Sequence, residues 1–395
     1  MLPSMEMKIG IDAIGFYSSR YFLDLKTLAE ARGTDYNKFY VGLGQEKMAI
    51  PPPDEDIVTM AASAALPLLE GEDLARIELL LFGTESGIDQ SKAAGVFVHG
   101  LLNLPKRCRV VEIKEACYGA TAGLQMAIAM VQRNPEAKAL VIGADIARYD
   151  LASPGEPTQG CGAVAMLISA NPRIMVIEPE AGLFTDDVMD FWRPNYRDQA
   201  VVDGKYSTRV YLSALLETWK QYAETSRRTY HDIDRFCYHL PFTKIAIKAQ
   251  ERLAKANGID LSEDAVEALL ADGLRYNRIT GNSYTASLYV GLNSLLDLAP
   301  DDLGGKRIGL YSYGSGCVAE YFSGIIQPGY RRHIRTAAHR ALLESRTELT
   351  FQQYEDIFNL RFPTDGEEHK FAQYRTGPFR LAGVNQHKRI YERVS

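Results

Sequence analysis

The run Arg109-Val-Val-Glu-Ile-Lys-Glu-Ala-Cys-Tyr-Gly-Ala-Thr-Ala-Gly-Leu-Gln-Met-Ala-Ile-Ala-Met130 restricts this chain more than any other. Val110, Val111 and Ile113 feed a β-branched segment straight into Cys117. Gly119 and a helix-forming series of Ala, Leu, Gln and Met follow. The pattern predicts a strand, a tight turn and a buried helix, with a thiol at the helix start. Such a unit needs a sheet beneath it and a helix layer above. Free N–H groups and the positive end of the helix dipole favour a thiolate there, so a thiol pKa below its ordinary ~8.5 is expected.

The same order recurs along the 395 residues, enough for two domains or one large duplicated α/β unit. The strand Ile77–Phe82 ends at Gly83-Thr-Glu-Ser86, and a helix from Asp89 to Leu102 follows. The strands Ala139–Asp145 and Gly162–Ile168 complete the first half. In the second half, Ile233–His239 reads as a strand, Thr243–Ala256 as a helix, and Thr280–Leu292 as a small-residue helix start. Arg307–Tyr313 is a strand ending in Gly314-Ser-Gly316. Apolar strands separated by helices imply a mostly parallel sheet covered on both faces. Glu85 and His239 then take equivalent strand-end places, and Cys117 and Asn282 equivalent helix-start places. These four converge where open α/β sheets bind ligands, outside the carboxyl ends of the strands. The expected halves are residues 1–175 and 176–395, with an inserted cap over about 181–222. The stretch after about Arg331 reads as solvated helices at the surface or a subunit contact.

A net charge of −6 argues against nucleic acid or an anionic membrane surface as the main partner. No segment approaches the ~20 apolar residues of a membrane span. The first ten residues lack a basic region followed by an apolar run, so a cytoplasmic protein is expected. Five cysteines, Cys108, Cys117, Cys161, Cys237 and Cys317, include no C-x-x-C pair. That spacing predicts neither a thiol zinc site nor a disulfide framework. Cys161, Cys237 and Cys317 read as small buried hydrophobes. His99 reads as structural, and His231, His333, His339, His369 and His387 as surface residues without metal-ligand spacing.

Seven motifs, in order, resemble those of the 3-hydroxy-3-methylglutaryl-CoA (HMG-CoA) synthases, especially the bacterial mevalonate-pathway type. They are Gly83-Thr-Glu-Ser86, Lys114-Glu-Ala-Cys-Tyr118, Gly155-Glu-Pro-Thr-Gln159, Asp190-Phe-Trp-Arg-Pro194, His239-Leu-Pro-Phe-Thr-Lys244, Gly281-Asn-Ser-Tyr-Thr285 and Tyr313-Gly-Ser-Gly316. The resemblance implies an α/β, thiolase-like fold: a duplicated, layered α/β/α/β/α architecture with mostly parallel mixed sheets. It also implies a homodimer, acetyl-CoA and acetoacetyl-CoA as substrates, and no metal or organic cofactor.

The resemblance places the family's catalytic trio on Glu85, Cys117 and His239. A thiolate nucleophile splits the condensation into covalent steps, which suits Cys117. A partly desolvated carboxylate removes the acetyl methyl proton, which suits Glu85. His239, ordinarily near ~6.5, polarises the ketone and is expected to ion-pair with the Cys117 thiolate. The backbone N–H groups of Cys117 and Ser315 are the implied oxyanion donors. Asp145, Tyr149, Thr158, Asp190, Ser207, Asn282 and Tyr313 are carried over as substrate contacts or supports, with buried structural roles open for Asp145 and Asp190. Lys244 and Lys248, one helical turn apart, are candidates to meet the CoA phosphates. A β-branching synthase of polyketide assembly, with the same trio and a carrier-protein donor, is the alternative. A decarboxylating ketoacyl synthase fits less well, because it lacks the Glu base.

Overall fold

The computed structural model describes residues 7–394, so the first six residues of the segment read for a leader lie outside the described residues. Nine strands form one sheet: β1 (Ile9–Tyr17), β2 (Ile77–Gly83), β3 (Arg109–Ile113), β4 (Lys138–Ala147), β5 (Gly160–Ala170), β6 (Met175–Thr185), β7 (Arg235–Tyr238), β8 (Arg307–Gly314) and β9 (Val318–Ile326). Their spatial order is β7-β8-β9-β6-β1-β5-β4-β2-β3. The two sides of this sheet meet at β1 and β6, which pair only through Gly10 with Val176 and Ile11 with Met175.

The helices that matter here are α1 (Ile57–Ala65), α2 (Ala94–Leu101), α3 (Gly119–Arg133), α4 (Gly204–Ser226), α5 (Lys244–Ala256), α6 (Glu263–Thr280) and α7 (Ser287–Leu298). Side-chain alternation along the strands sorts them into layers. Leu79 and Leu81 of β2 share one core with Leu124 and Val131 of α3, Leu288 and Leu292 of α7, and Ile308 and Leu310 of β8. Leu80 and Phe82 point the other way, onto Val58 and Ala61 of α1 and Val98 of α2. On the far side, Tyr311 and Tyr313 pack against Tyr211 and Leu215 of α4 and Ile245 and Leu253 of α5. Helices α3 and α7 therefore lie between two sheet surfaces, and the layers run α/β/α/β/α. Burial on both faces explains why these strands read as continuous apolar runs.

The sheet is mixed, but not mostly parallel. β2 runs parallel to β3 and β4, and β7 to β8; the other five neighbour pairs are antiparallel. Only strands joined through helical crossovers can lie parallel. β4 returns into β5, and β8 into β9, without one. The interruption expected over 181–222 is also smaller. β6 continues to Thr185 and α4 begins at Gly204. Residues 186–203 alone leave the pattern, with Phe191–Trp192 pairing Val201–Val202 as a short ribbon. The tail adds a three-stranded sheet of His369–Lys370, Phe379–Asn385 and Lys388–Arg393. His339 is buried rather than exposed, with Nδ1 2.7 Å from Asp297 Oδ2.

The internal repeat is visible in the backbone. Ala116 (φ 40°) and Tyr284 (φ 43°) each open a 3-10 turn leading into α3 and α7. Positive φ is uncommon for residues with a side chain and marks positions that the surroundings enforce. In this register Cys117 corresponds to Thr285, not to Asn282.

Candidate functional site

Cys117 and Glu85 meet where β2 ends and α3 begins. Gly83 allows the approach, since a Cβ there would lie 2.5 Å from the Ala120 nitrogen. The Cys117 thiol donates to Glu85 Oε1 at 2.9 Å. Cys117 belongs to a small buried apolar cluster with Ala147, Tyr149, Phe191, Ala200 and Tyr284. In this apolar setting, burial and then the Glu85 carboxylate push the Cys117 thiol well above its ordinary value. The lowered pKa expected from a helix start does not occur, because loss of water and a neighbouring carboxylate outweigh the dipole. Glu85 itself is raised to about 8, by burial first and the Asp145 charge second.

Asp145 is a fully buried knot between the two halves of the chain. Its Oδ1 accepts from Thr84 Oγ1 (2.8 Å) and from the N–H groups of Glu85 and Ser86 (both 2.9 Å). Its Oδ2 accepts from Thr285 Oγ1 (2.6 Å) and the Thr285 N–H (3.0 Å). Five donors fill the carboxylate, so Asp145 fixes the Glu85 backbone and has no lone pair free for a substrate.

His239 follows β7 and is 2% exposed. Its N–H donates to Tyr311 O (2.8 Å), and its carbonyl accepts from the Tyr211 hydroxyl (2.9 Å). The ring Nδ1 lies 2.7 Å from Ser287 Oγ. Burial drops its pKa to about 3, so the imidazole is neutral at pH 7. An ion pair with a Cys117 thiolate is therefore absent; the thiol's acceptor is Glu85.

The loop 186–203 closes the site with three neighbouring side chains. Asp190 Oδ2 accepts from Ser207 Oγ (2.9 Å) and the Tyr313 hydroxyl (2.7 Å), and its Oδ1 from the Gly316 N–H (2.9 Å). Phe191 packs edge-on to Tyr149 and Tyr284 at 6.2 and 5.8 Å. Arg193 donates to the Glu85 carbonyl, and its charge opposes the rise in the Glu85 pKa. Asp190 thus holds the Gly314–Gly316 turn, on which Gly314 is required: a Cβ would sit 2.5 Å from Glu115 O. Ser315 lies in that turn, and neither its N–H nor that of Cys117 has a protein acceptor among the described residues.

Other expected positions are at the rim or in support. The Thr158 carbonyl accepts from the Asn282 N–H at 3.2 Å, and Asn282 Oδ1 accepts from the Tyr284 N–H at 2.9 Å. Lys244 is not a free charge: it pairs with Glu263, and with Glu267 at 3.7 Å. Lys248 is exposed. Arg193, Tyr284, Thr285 and Ser287 belong to the site without having been singled out. Arg193, Tyr284 and Thr285 lie inside the family's motifs, and aligning the halves on Ala116 and Tyr284 would have found Thr285. Among the described residues no group of three or more His, Cys, Asp or Glu is placed to hold a metal ion.

A thiol and a carboxyl in contact, with two unspent backbone donors on neighbouring turns, is an arrangement suited to acyl transfer and carbon acid chemistry. The sequence profile "Hydroxymethylglutaryl-coenzyme A synthase N terminal" matches residues 5–173, and its C-terminal counterpart matches 175–258 and 249–376. The chain belongs to the hydroxymethylglutaryl-CoA synthase family. A hydroxymethylglutaryl-CoA synthase of Enterococcus faecalis is 46% identical over 98% of this chain and 100% of its own length. A polyketide-biosynthesis 3-hydroxy-3-methylglutaryl-ACP synthase of Bacillus subtilis is 36% identical over 88% of this chain and 87% of its own. A crystal structure of an HMG-CoA synthase complexed with CoA superposes with a TM-score of 0.93 at 41% identity, covering 98% of this chain and 100% of that one. The thiolase-like fold expected for the family is the one observed.

Proposed function

We propose that this family member condenses acetyl-CoA with acetoacetyl-CoA and water, giving (S)-3-hydroxy-3-methylglutaryl-CoA and free CoA, in the mevalonate route to isoprenoids. The observation that carries the reading is the 2.9 Å contact between the Cys117 thiol and Glu85 in an apolar pocket. In the first step Cys117 sulfur attacks the acetyl thioester carbonyl, and CoA leaves with the thiol's proton. The oxyanion is met by the Cys117 and Ser315 N–H groups. In the second step Glu85, in its ionised form, removes a proton from the acetyl methyl group. A base with a pKa near the working pH suits this transfer. The resulting carbon nucleophile attacks the ketone carbon of acetoacetyl-CoA; the ketone oxygen, polarised by neutral His239, becomes an alkoxide and takes up one proton as Glu85 releases the one it removed. Water then hydrolyses the thioester to Cys117 and restores the thiol.

Tyr149, Phe191 and Tyr284 keep this chemistry dry, while Asp145, Asp190, Ser207 and Tyr313 hold the reacting loops. Thr158, Asn282 and the exposed Lys248 serve the substrate's longer reach. The steps call for no metal or organic cofactor. We assign the two halves to residues 1–175 and 176–395. The chain acts in the cytoplasm as a homodimer joined at β3, an edge strand with Val111 49% exposed. An exposed strand edge of this kind favours pairing with a second copy. A rate comparison between free acetyl-CoA and acetyl loaded on a carrier protein tests the substrate. Faster turnover of free CoA is expected, and a large preference for the carrier would move the enzyme to polyketide β-branching.

A further inference from the structure

Ser287, fully buried at the first position of α7, touches the ring of His239 but has no part in the steps above. Its Oγ lies 2.7 Å from His239 Nδ1 and 3.2 Å from the N–H of Leu240, the next residue in the chain. The Leu240 N–H is a donor only, so it occupies a lone pair of the serine oxygen. The serine hydroxyl has one proton, and its acceptor among the described residues is Nδ1. A neutral imidazole that accepts at Nδ1 carries its proton on Nε2.

The His239 backbone is already fixed at both ends, by Tyr311 O and the Tyr211 hydroxyl. Ring orientation and tautomer are what remain to be set, and Ser287 is the group in contact that sets them. We propose that Ser287 is a positioning residue that locks His239 in the Nε2–H tautomer, presenting a ready donor to the ketone oxygen of the acceptor substrate. The inference rests on the role given to His239 in the condensation. It assigns the serine a task that is independent of acetyl transfer to Cys117. Because burial keeps the ring neutral at pH 7, the tautomer, not the charge, decides whether a donor faces the substrate.

The test combines 15N NMR of selectively labelled histidine with the two half-reactions. In the unsubstituted enzyme His239 should show a protonated Nε2 and an unprotonated Nδ1. Ser287→Ala should blur that assignment and slow condensation on the order of 10²–10³-fold, the loss typical of one oriented donor. Acetylation of Cys117 should continue at its normal rate, and Ser287→Thr, which keeps a hydroxyl, should restore the tautomer and most of the condensation rate. The proposal is overturned if the unsubstituted enzyme carries its proton on Nδ1. It is equally overturned if Ser287→Ala leaves both the tautomer and the condensation rate unchanged. The NMR reading needs no substrate and survives any failure of the assigned reaction, so the two failures are distinguishable.

Discussion

Asp145→Asn removes one charge and one acceptor from the carboxylate that ties the Glu85 strand end to the start of α7. If the amide keeps its oxygen toward Thr84, Glu85 and Ser86, its nitrogen faces two donors of Thr285. The Thr285 hydroxyl has a second acceptor in Gly83 O at 3.2 Å. The Thr285 N–H has none. One lost charge-assisted bond and one orphaned buried N–H together cost about 3–5 kcal/mol. Denaturant unfolding should show the midpoint falling with an unchanged slope. A second consequence has a definite sign. The Asp145 charge helps raise Glu85 to about 8 while the Cys117 thiol donates to it. Only ionised Glu85 can take the methyl proton, so the condensation rate should rise with pH through the Glu85 pKa, which loss of the thiol donor on acetylation moves higher still. Removing the charge lowers the Glu85 pKa and should move that rise to lower pH. A stability loss under about 1 kcal/mol, or a rise displaced to higher pH, would refute the reasoning.

Arg193→Gln should act with the opposite sign, raising the Glu85 pKa and shifting the pH–rate curve to the alkaline side; Arg193→Lys should leave the curve in place. Gly314→Ala must move the turn away from Glu115 O, displacing the Ser315 N–H, and should cut kcat on the order of 10²-fold or more in single-turnover assays. Lys248→Glu should raise KM for CoA substrates, more at low salt than at high, because an exposed charge is screened. Lys244→Glu should instead chiefly disturb the contacts with Glu263 and Glu267, seen as a lower melting temperature.

The strand–turn–helix unit at Cys117 and its counterpart at residues 284–298 were legible because apolar periodicity and turn residues act locally. The layered architecture followed, since strands that are apolar throughout must be covered on both faces. Pair direction was not legible. Whether β4 returns directly into β5 depends on the connection, and a loop such as 148–159 carries no signal that distinguishes a return from a crossover. The thiol pKa was misjudged for a related reason. A helix dipole can be read from a sequence, whereas Glu85, Tyr149, Phe191 and Tyr284 converge on Cys117 from four separate segments. Lys244 looked free because Glu263 and Glu267 lie on another helix.

The central claim is that Cys117 carries the acyl group while Glu85 serves the later carbon–carbon step. It is tested most directly by mass mapping of the acetyl group in the unsubstituted enzyme and in Glu85→Ala after incubation with acetyl-CoA. Removing the carboxylate takes away a charge that raises the thiol pKa, so acetylation should persist. One acetyl group is expected on the Cys117 peptide in both proteins, with HMG-CoA formation in Glu85→Ala lower by on the order of 10²–10⁴-fold. An acetyl group on Cys161 or Cys317 instead, or near-normal condensation by Glu85→Ala, would contradict the account.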